Sequence, residues 1–433
     1  MQRRHRLGFG IFSKNYPLSY AQVPYSSRAV IRRVRPLPLI LLLACSGGGN
    51  SSTDPGDRTP SITVLGVADG DSLASPVTVT ISVDVGTYSA ELNGVTFVSG
   101  RTLTDPGDYL LTVTARNGQA VATLELRFTI LLGGETRLIV RVLNLGENEA
   151  GGGGDAILLT DSSSAGMRHV IVDAGPAGVG ASDPGFVARR LQQLGVDTLE
   201  AMILTHAHTD HFGGMSAILS EIFVRRFFYN GQIRNLSSYS TTITLAGQRA
   251  GTVIIPTNVN SLTLGFGTSP TELAVLPPFA TFLGNSNADG SQINEGSLGT
   301  AVQKGTFRMF LTGDSEVAAN LRWRTQFSQL TQALTVLKVG HHGANDATFD
   351  NGFNGNSAWL THTAPQIAVI SANGVTHPRL NATAKFLSLA TTRTYCTNVH
   401  GDIEIRVSEI GTFQVTVERN ANANCVAGRD AST

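Results

Sequence analysis

Leu204-Thr205-His206-Ala207-His208-Thr209-Asp210-His211-Phe212-Gly213-Gly214 sets three histidines and an aspartate within six positions. The whole chain of 433 residues holds only ten histidines, so this crowding is improbable by chance. The apolar run from Glu200 to Leu204 reads as a buried strand, and Gly213-Gly214 open a helix from Met215 to Glu221. The loop between them lies at a strand's C-terminal end, where open α/β sheets place their chemistry. Neutral imidazole and carboxylate are ligands for Zn²⁺ and similar divalent ions. His206 and His208 can converge on one ion, while Asp210 and His211 can turn toward a second. Two ions would hold a bridging hydroxide and clamp the attacking and leaving oxygens of a hydrolysis.

Outward toward the N-terminus, residues 1–45 carry seven arginines and one lysine and no acidic residue, and end in Pro36-Leu-Pro-Leu-Ile-Leu-Leu-Leu-Ala44-Cys45. A basic stretch followed by a short apolar run reads as a secretory signal, too short to span a bilayer as a helix. Leu42-Leu43-Ala44-Cys45 is similar to a bacterial lipobox, which implies cleavage before Cys45 and its lipidation. The expectation is an exported chain, anchored through this lipid on a bacterial membrane and facing the periplasm or the exterior, with no transmembrane helix in the mature part. Removing the signal leaves 24 basic against 32 acidic residues. That balance excludes a strong non-specific grip on nucleic acid. Residues 46–60 are rich in Gly, Ser, Asn and Asp and read as a flexible linker.

Residues 61–131 alternate apolar and polar positions in short runs such as Val77 to Val83 and Tyr109 to Ala115, with turn dipeptides Asn93-Gly94, Pro106-Gly107 and Asn117-Gly118. This pattern predicts a small β-sandwich and resembles bacterial immunoglobulin-like modules. It carries no catalytic cluster and reads as a spacer or adhesive unit. Gly133-Gly134 mark a boundary, and residues 135–420 alternate strand-like and helix-like segments in one large α/β domain, with 421–433 as a tail. Strands are predicted over Leu138 to Leu145, Ala156 to Thr160 and His169 to Asp173. Asp183-Pro184 should cap and open a helix over Phe186 to Leu194. Cys396 and Cys425 remain as an even pair, which in an exported chain reads as a disulfide.

The histidine loop resembles the His-x-His-x-Asp-His signature of the metallo-β-lactamase superfamily. Further motifs extend the likeness in order: Gly154-Asp155-Ala156, Asn294-Glu-Gly-Ser297, Leu311-Thr-Gly-Asp314, Val336-Leu-Lys338-Val-Gly-His341-His342-Gly343, and Ser371…His377-Pro378. Together they resemble one branch, the domain found in the DNA-uptake competence protein ComEC, over roughly residues 137–407. The resemblance implies a four-layer αββα sandwich behind a small all-β domain. It implies a metal set of His206, His208, Asp210, His211 and Asp314, with Asp314 bridging and one of His341 and His342 completing the second site. Asn294, Ser297, Lys338 and Asp155 are then expected near substrate, although Lys338 could equally be a solvated strand residue. Asp210, Asp314 and His377 are the candidate catalytic groups, and His377 could bind metal, donate a proton or cap the following helix. Asp173, at the end of a strand, is a candidate to orient a ligand histidine.

Two departures from the superfamily stand out. Residues 212–313 contain no histidine, where most of its hydrolases supply a further ligand. Water, Asn294, Glu295 or His377 could take that place. Glu147 to Gly154 is a Gly-rich, acidic version of the branch's tighter turn, which could shape access.

These residues point to metal-dependent hydrolysis with two divalent ions, Zn²⁺ by default and Mn²⁺ as the harder alternative. The branch implies a phosphodiesterase or nuclease-like enzyme acting on a small ester or a nucleic-acid phosphodiester. Lactone, β-lactam or choline-ester hydrolysis is the alternative chemistry. A non-catalytic, surface-anchored binding protein with a degenerate metal site is the alternative class. Oligomeric state is not legible.

Overall fold

Two mixed sheets carry the larger part of the chain. The first has eight strands, ordered Thr252–Ile254, Arg226–Phe228, Ala201–Ile203, Gly166–Val172, Ile157–Ser163, Thr136–Val142, Ile403–Ser408 and Phe413–Val417. The second has seven, ordered Asn260–Leu264, Thr271–Val275, Thr300–Lys304, Phe307–Leu311, Val336–Lys338, Ile367–Ile370 and Arg393–Cys396. One end of each sheet is parallel: Gly166–Val172 through Thr252–Ile254 in the first, and Phe307–Leu311 through Arg393–Cys396 in the second. Parallel strands need covering on both faces, and most of their residues here are apolar.

Strand alternation sorts these side chains into three apolar layers. Val140, Ile157, Leu159 and Val170 of the first sheet meet Leu273, Val302, Met309 and Val336 of the second in one cluster. The opposite face of the first sheet, with Leu158, Ile171 and Met202, packs under the helices Phe186–Gln193, Met215–Glu221 and Ser237–Arg249. The opposite face of the second, with Phe310, Leu337 and Ala368, packs under Val317–Gln326, Ala358–Thr363 and Leu380–Leu387. The layers therefore run helix, sheet, sheet, helix, the expected αββα order. The late strand Ile403–Ser408 returns to pair with Thr136–Val142, so the ends of this part of the chain close the first sheet together.

Residues 61–131 form two further sheets. Ile62–Leu65, Val77–Val83 and Arg101–Leu103 make the smaller, and Ser72–Ala74, Ala120–Leu131, Gly107–Asn117, Thr87–Leu92 and Val95–Thr96 the larger. Val79, Ile81, Leu111, Val113 and Ile130 fill the cluster they share. Cys396 and Cys425 form a disulfide, with Cα atoms 5.7 Å apart, buried among the helices outside the second sheet.

This computed structural model describes residues 58–105, 107–131, 136–146, 153–163, 166–177, 185–265 and 270–432. The signal segment, Cys45, most of the linker, Gly133-Gly134, residues 147–152 and Asp183-Pro184 lie outside them. The helix expected over Phe186 to Leu194 spans Phe186–Gln193, with Gly185 before it offering no side-chain cap. Among the described residues no helix is long and apolar enough to cross a membrane.

Candidate metal centre

The histidine loop leaves the strand Ala201–Ile203 and turns into the short helix Thr209–Phe212. Gly213 and Gly214 are required by close approach. A Cβ on Gly214 would stand 2.3 Å from the Ala174 carbonyl, and one on Gly213 2.2 Å from the Ala177 nitrogen. The loop is thus pressed onto the turn that follows the neighbouring strand Gly166–Val172. Asp173 begins that turn with a left-handed backbone, φ 58°. Its carboxylate accepts from the Thr205 amide at 2.8 Å and the Thr205 hydroxyl at 2.7 Å, and pairs with His211 Nδ1 at 2.7 Å. This fixes the His211 ring with Nε2 toward the centre.

The second sheet supplies the opposite side. Gly313, at φ 54°, turns the chain after Phe307–Leu311 and delivers Asp314. The strand Val336–Lys338 leads to His341 and His342, consecutive residues with left-handed backbones of φ 45° and 53°. Non-glycine residues rarely adopt that region, and such strain gathers at functional sites. It sends the two rings to different surroundings. His342 is fully buried and its Nδ1 donates to the Ser371 carbonyl at 3.0 Å, leaving Nε2 toward Asp210 at 3.3 Å and Asp314 at 3.2 Å. His341 pairs with Asp346 at 3.1 Å and lies beside Glu316 at 3.5 Å.

Two groups of donor atoms result. Asp210, His211, Asp314 and His342 form one, and His206, His208 and Asp314 the other, each with donors within 4.8 Å of one another. Asp314 belongs to both. Asp210 Oδ2, His211 Nε2, Asp314 Oδ1 and His342 Nε2 are buried with no hydrogen-bond partner. The two Nε2 atoms nevertheless crowd against carboxylate oxygens, His211 Nε2 being 3.1 Å and His342 Nε2 3.2 Å from Asp314 Oδ2. Buried polar atoms left unpaired are costly, and this chemistry fits divalent cations. The residues present therefore suit two ions.

The protons divide along the same line. Burial holds His206 well below its usual value, aided by the His211 charge, and takes His208 down to about 4. Burial also acts on His211, but the carboxylates of Asp314, Asp173 and Asp210 outweigh it and raise that ring well above its usual value. The same contest at His342, with Asp314 and Asp210 winning over burial, ends at about 9. Burial opposes ionisation of Asp314 too, yet His211 and His342 hold its carboxyl well below the ordinary range, and Asp210 is lowered in the same way.

Several expected roles are relocated. Lys338 is fully buried, forms an ion pair with Asp155, and donates to the Gly313 carbonyl at 3.2 Å. Asp155 is buried as well, with Oδ1 3.8 Å from His342 Nδ1. Both lie behind the donor groups rather than before a substrate, because their strand and turn point them inward. Ser297 is buried and its hydroxyl accepts from the Asp314 amide at 3.2 Å, which shapes the aspartate's turn. Glu295, a candidate for the missing ligand, accepts from the Ala318 and Ala319 amides at 2.7 and 2.6 Å and so serves the start of the helix Val317–Gln326. His377 belongs to neither donor group. Its ring stacks on His341 with centroids 5.6 Å apart, burial takes it to about 2, and Arg379 rather than His377 precedes the helix Leu380–Leu387.

A cleft of about 370 Å³ opens over the centre, lined by His208, Asp210 and Asp314 and, on its far wall, by Asn294, Glu316, His341 and Asp346. Asn294, expected near substrate, is part of this wall. Glu316 and Asp346 are not distinguished by the sequence. The signal was only their nearness to Asp314 and to His341-His342, in a chain with 32 acidic residues.

A sequence model described as the metallo-beta-lactamase superfamily matches residues 151–232, which include Asp155, Asp173 and the whole histidine loop but neither Asp314 nor His342. ComE operon protein 3 of Bacillus subtilis (strain 168) is 26% identical over 226 residues, which make up 51% of this chain and 26% of that protein. The chain thus spans about a quarter of that relative's length. Among solved structures, a diphosphatase from the PhnP family aligns with TM-score 0.31 and 12% identity over 60% of this chain and 87% of its own. AidC, a dizinc quorum-quenching lactonase, aligns with TM-score 0.27 and 12% identity over 74% and 97%. Scores this low carry no weight for substrate. With the histidine loop inside the matched segment and seated in an αββα fold, the chain carries a metallo-β-lactamase superfamily domain, weakly homologous to part of ComE operon protein 3.

Proposed function

We propose that this domain hydrolyses phosphodiesters with two divalent ions. The observation that supports this most is the Asp314 carboxylate, common to both donor groups at the floor of the cleft. His206, His208 and Asp314 would hold one ion; Asp210, His211, His342 and Asp314 would hold the other. Bound there, the pair supplies Lewis acidity and an activated water. The chain's own part is orientation. Asp173 and the Ser371 carbonyl fix the His211 and His342 rings through Nδ1, and Thr205 ties the first loop to Asp173. Lys338 and Asp155 back the centre with one charge of each sign. Asn294 offers a neutral amide on the cleft wall.

The charge of the cleft narrows the substrate. No lysine or arginine is among its lining residues, while four carboxylates are. An anionic substrate would meet positive charge only from the ions. A diester with one negative charge suits that setting better than a phosphate monoester with two. Zn²⁺ is the default ion and Mn²⁺ the alternative. The basic start of the chain and Cys45 support the further reading of export and lipid anchoring, and the two-sheet unit of residues 61–131 would then act as an immunoglobulin-like spacer.

Elemental analysis of the chain from Ser46 onward, with bis-p-nitrophenyl phosphate turnover, tests this. Two Zn²⁺ per chain and turnover abolished by His208→Ala are expected. Metal without turnover of this ester would redirect the reading to lactones, β-lactams or choline esters. Failure to bind Zn²⁺ or Mn²⁺ would leave an anchored binding protein.

A further inference from the structure

The geometry points to a third divalent-cation site in the far wall of the cleft, formed by Glu316, His341 and Asp346 with the side-chain amide of Asn294 beside them. None of these residues belongs to the two donor groups that share Asp314. One donor atom from each of Glu316, His341 and Asp346 lies within 4.8 Å of the other two. His341 Nδ1 stands 3.1 Å from Asp346 Oδ1 and 3.5 Å from Glu316 Oε1. A single imidazole proton can satisfy one of those carboxylates, and it is hydrogen-bonded only to Asp346, while Glu316 accepts from neutral donors alone, the Ser291 hydroxyl and the Asn294 amide.

An independent observation comes from Asn294. Its side chain reaches into the same cluster and presents Nδ2 there, 2.8 Å from Glu316 Oε1 and 3.5 Å from His341 Nε2, so a half-turn of the amide brings Oδ1 to the same space. It is only 3% exposed, and its Oδ1 has no hydrogen-bond partner. A buried amide oxygen is seldom left so. The cleft lining offers no lysine or arginine to balance Glu316 and Asp346. Two carboxylates, an imidazole and an amide oxygen form a harder donor set than either group around Asp314, which favours Mn²⁺ over Zn²⁺. The half-exposed Asp346 makes this site more open to solvent than the other two. The third ion therefore binds more weakly. It would stand on the substrate's side of the cleft and add positive charge where the chain provides none.

The test is to count Mn²⁺ bound by the full chain, by equilibrium dialysis with elemental analysis up to millimolar Mn²⁺. Three ions per chain are expected, one of them released first on dilution. Asp346→Asn and Glu316→Gln should each lower the count from three to two. The thermal midpoint without metal should stay unchanged in Asp346→Asn, whose side chain is 41% exposed. Two ions in the unaltered chain would overturn the inference, as would a third ion retained in both variants. Two ions with turnover would sink the third site and leave the phosphodiesterase reading standing. Three ions without turnover would do the reverse.

Discussion

Loading the pocket of Asp210, His211, His342 and Asp314 should release protons, whereas loading the pocket of His206 and His208 should not. Before an ion enters, His342 lies at about 9 and His211 well above its usual value, so both rings are charged at pH 7. A ring that binds through Nε2 must first give up its proton. Asp210 and Asp314 have none to give, since their carboxyls are held low. One ion therefore displaces about two protons, and its apparent affinity should rise about 100-fold per pH unit wherever both rings are still charged. His208 sits at about 4 and burial holds His206 well below its usual value, so the other pocket should respond little to pH near neutrality. Acidification should accordingly empty the four-residue pocket first. Calorimetry of the metal-stripped chain with Zn²⁺, in two buffers of different ionisation enthalpy, counts the protons. The measurement belongs near pH 6, below the value of about 7 at which zinc-bound water ionises. Asp173→Asn removes a carboxylate 2.7 Å from His211 and should bring the count toward one. Equal proton release at both pockets, or less than one proton at the four-residue pocket, would refute the reasoning.

Other perturbations separate shared from private roles. Asp314→Asn should lose both ions of the shared centre, while His342→Ala should lose one, as read by elemental analysis after dialysis. Lys338→Met would strand the Asp155 charge in a buried setting and should cost about 3–5 kcal/mol in denaturant unfolding, much of it recovered when Asp155→Asn is added. Removing the disulfide with Cys396→Ala and Cys425→Ala, 29 residues apart, should cost roughly 3–4 kcal/mol by the same assay.

The first half of this centre was legible because its ligands are adjacent in sequence. Four donor residues in six positions betray a site before any fold is known, and the apolar run before them fixes which end of which strand they occupy. Asp314 was legible through order: a strand, a glycine and an aspartate downstream of the loop. The choice between His341 and His342 was not, since it depends on two left-handed backbones that residue types do not announce. Depth was equally hidden. Lys338 reads the same in sequence whether it points at substrate or, as here, is enclosed beside Asp155. Glu295 lies one residue from Asn294, yet the first caps a helix and the second lines the cleft, because consecutive residues of the helix Gly290–Glu295 point about 100° apart. The Cys396–Cys425 pair followed from counting once Cys45 was set apart as a candidate for lipidation.

The arrangement also bears on how the fold holds together. His206, His208, Asp210 and His211 hang from the first sheet, and Asp314 and His342 from the second. Between these sheets the apolar cluster ends where the parallel strands end, and the donor groups take over. There the crowding of Asp210, Asp314, His211 and His342 substitutes charge for hydrocarbon, at a desolvation cost that only opposite charge can offset. Protons on His211 and His342 do part of this, and two divalent ions would do more while joining the two sheets through Asp314. An ion that binds only the folded chain adds about 2.7 kcal/mol at a hundredfold excess over its dissociation constant. The thermal midpoint should therefore climb with Zn²⁺ concentration, and the climb should be steeper at pH 8 than at pH 6, because only the four-residue pocket must shed protons. A midpoint shift indifferent to pH would mean that the two sheets meet without that pocket being filled.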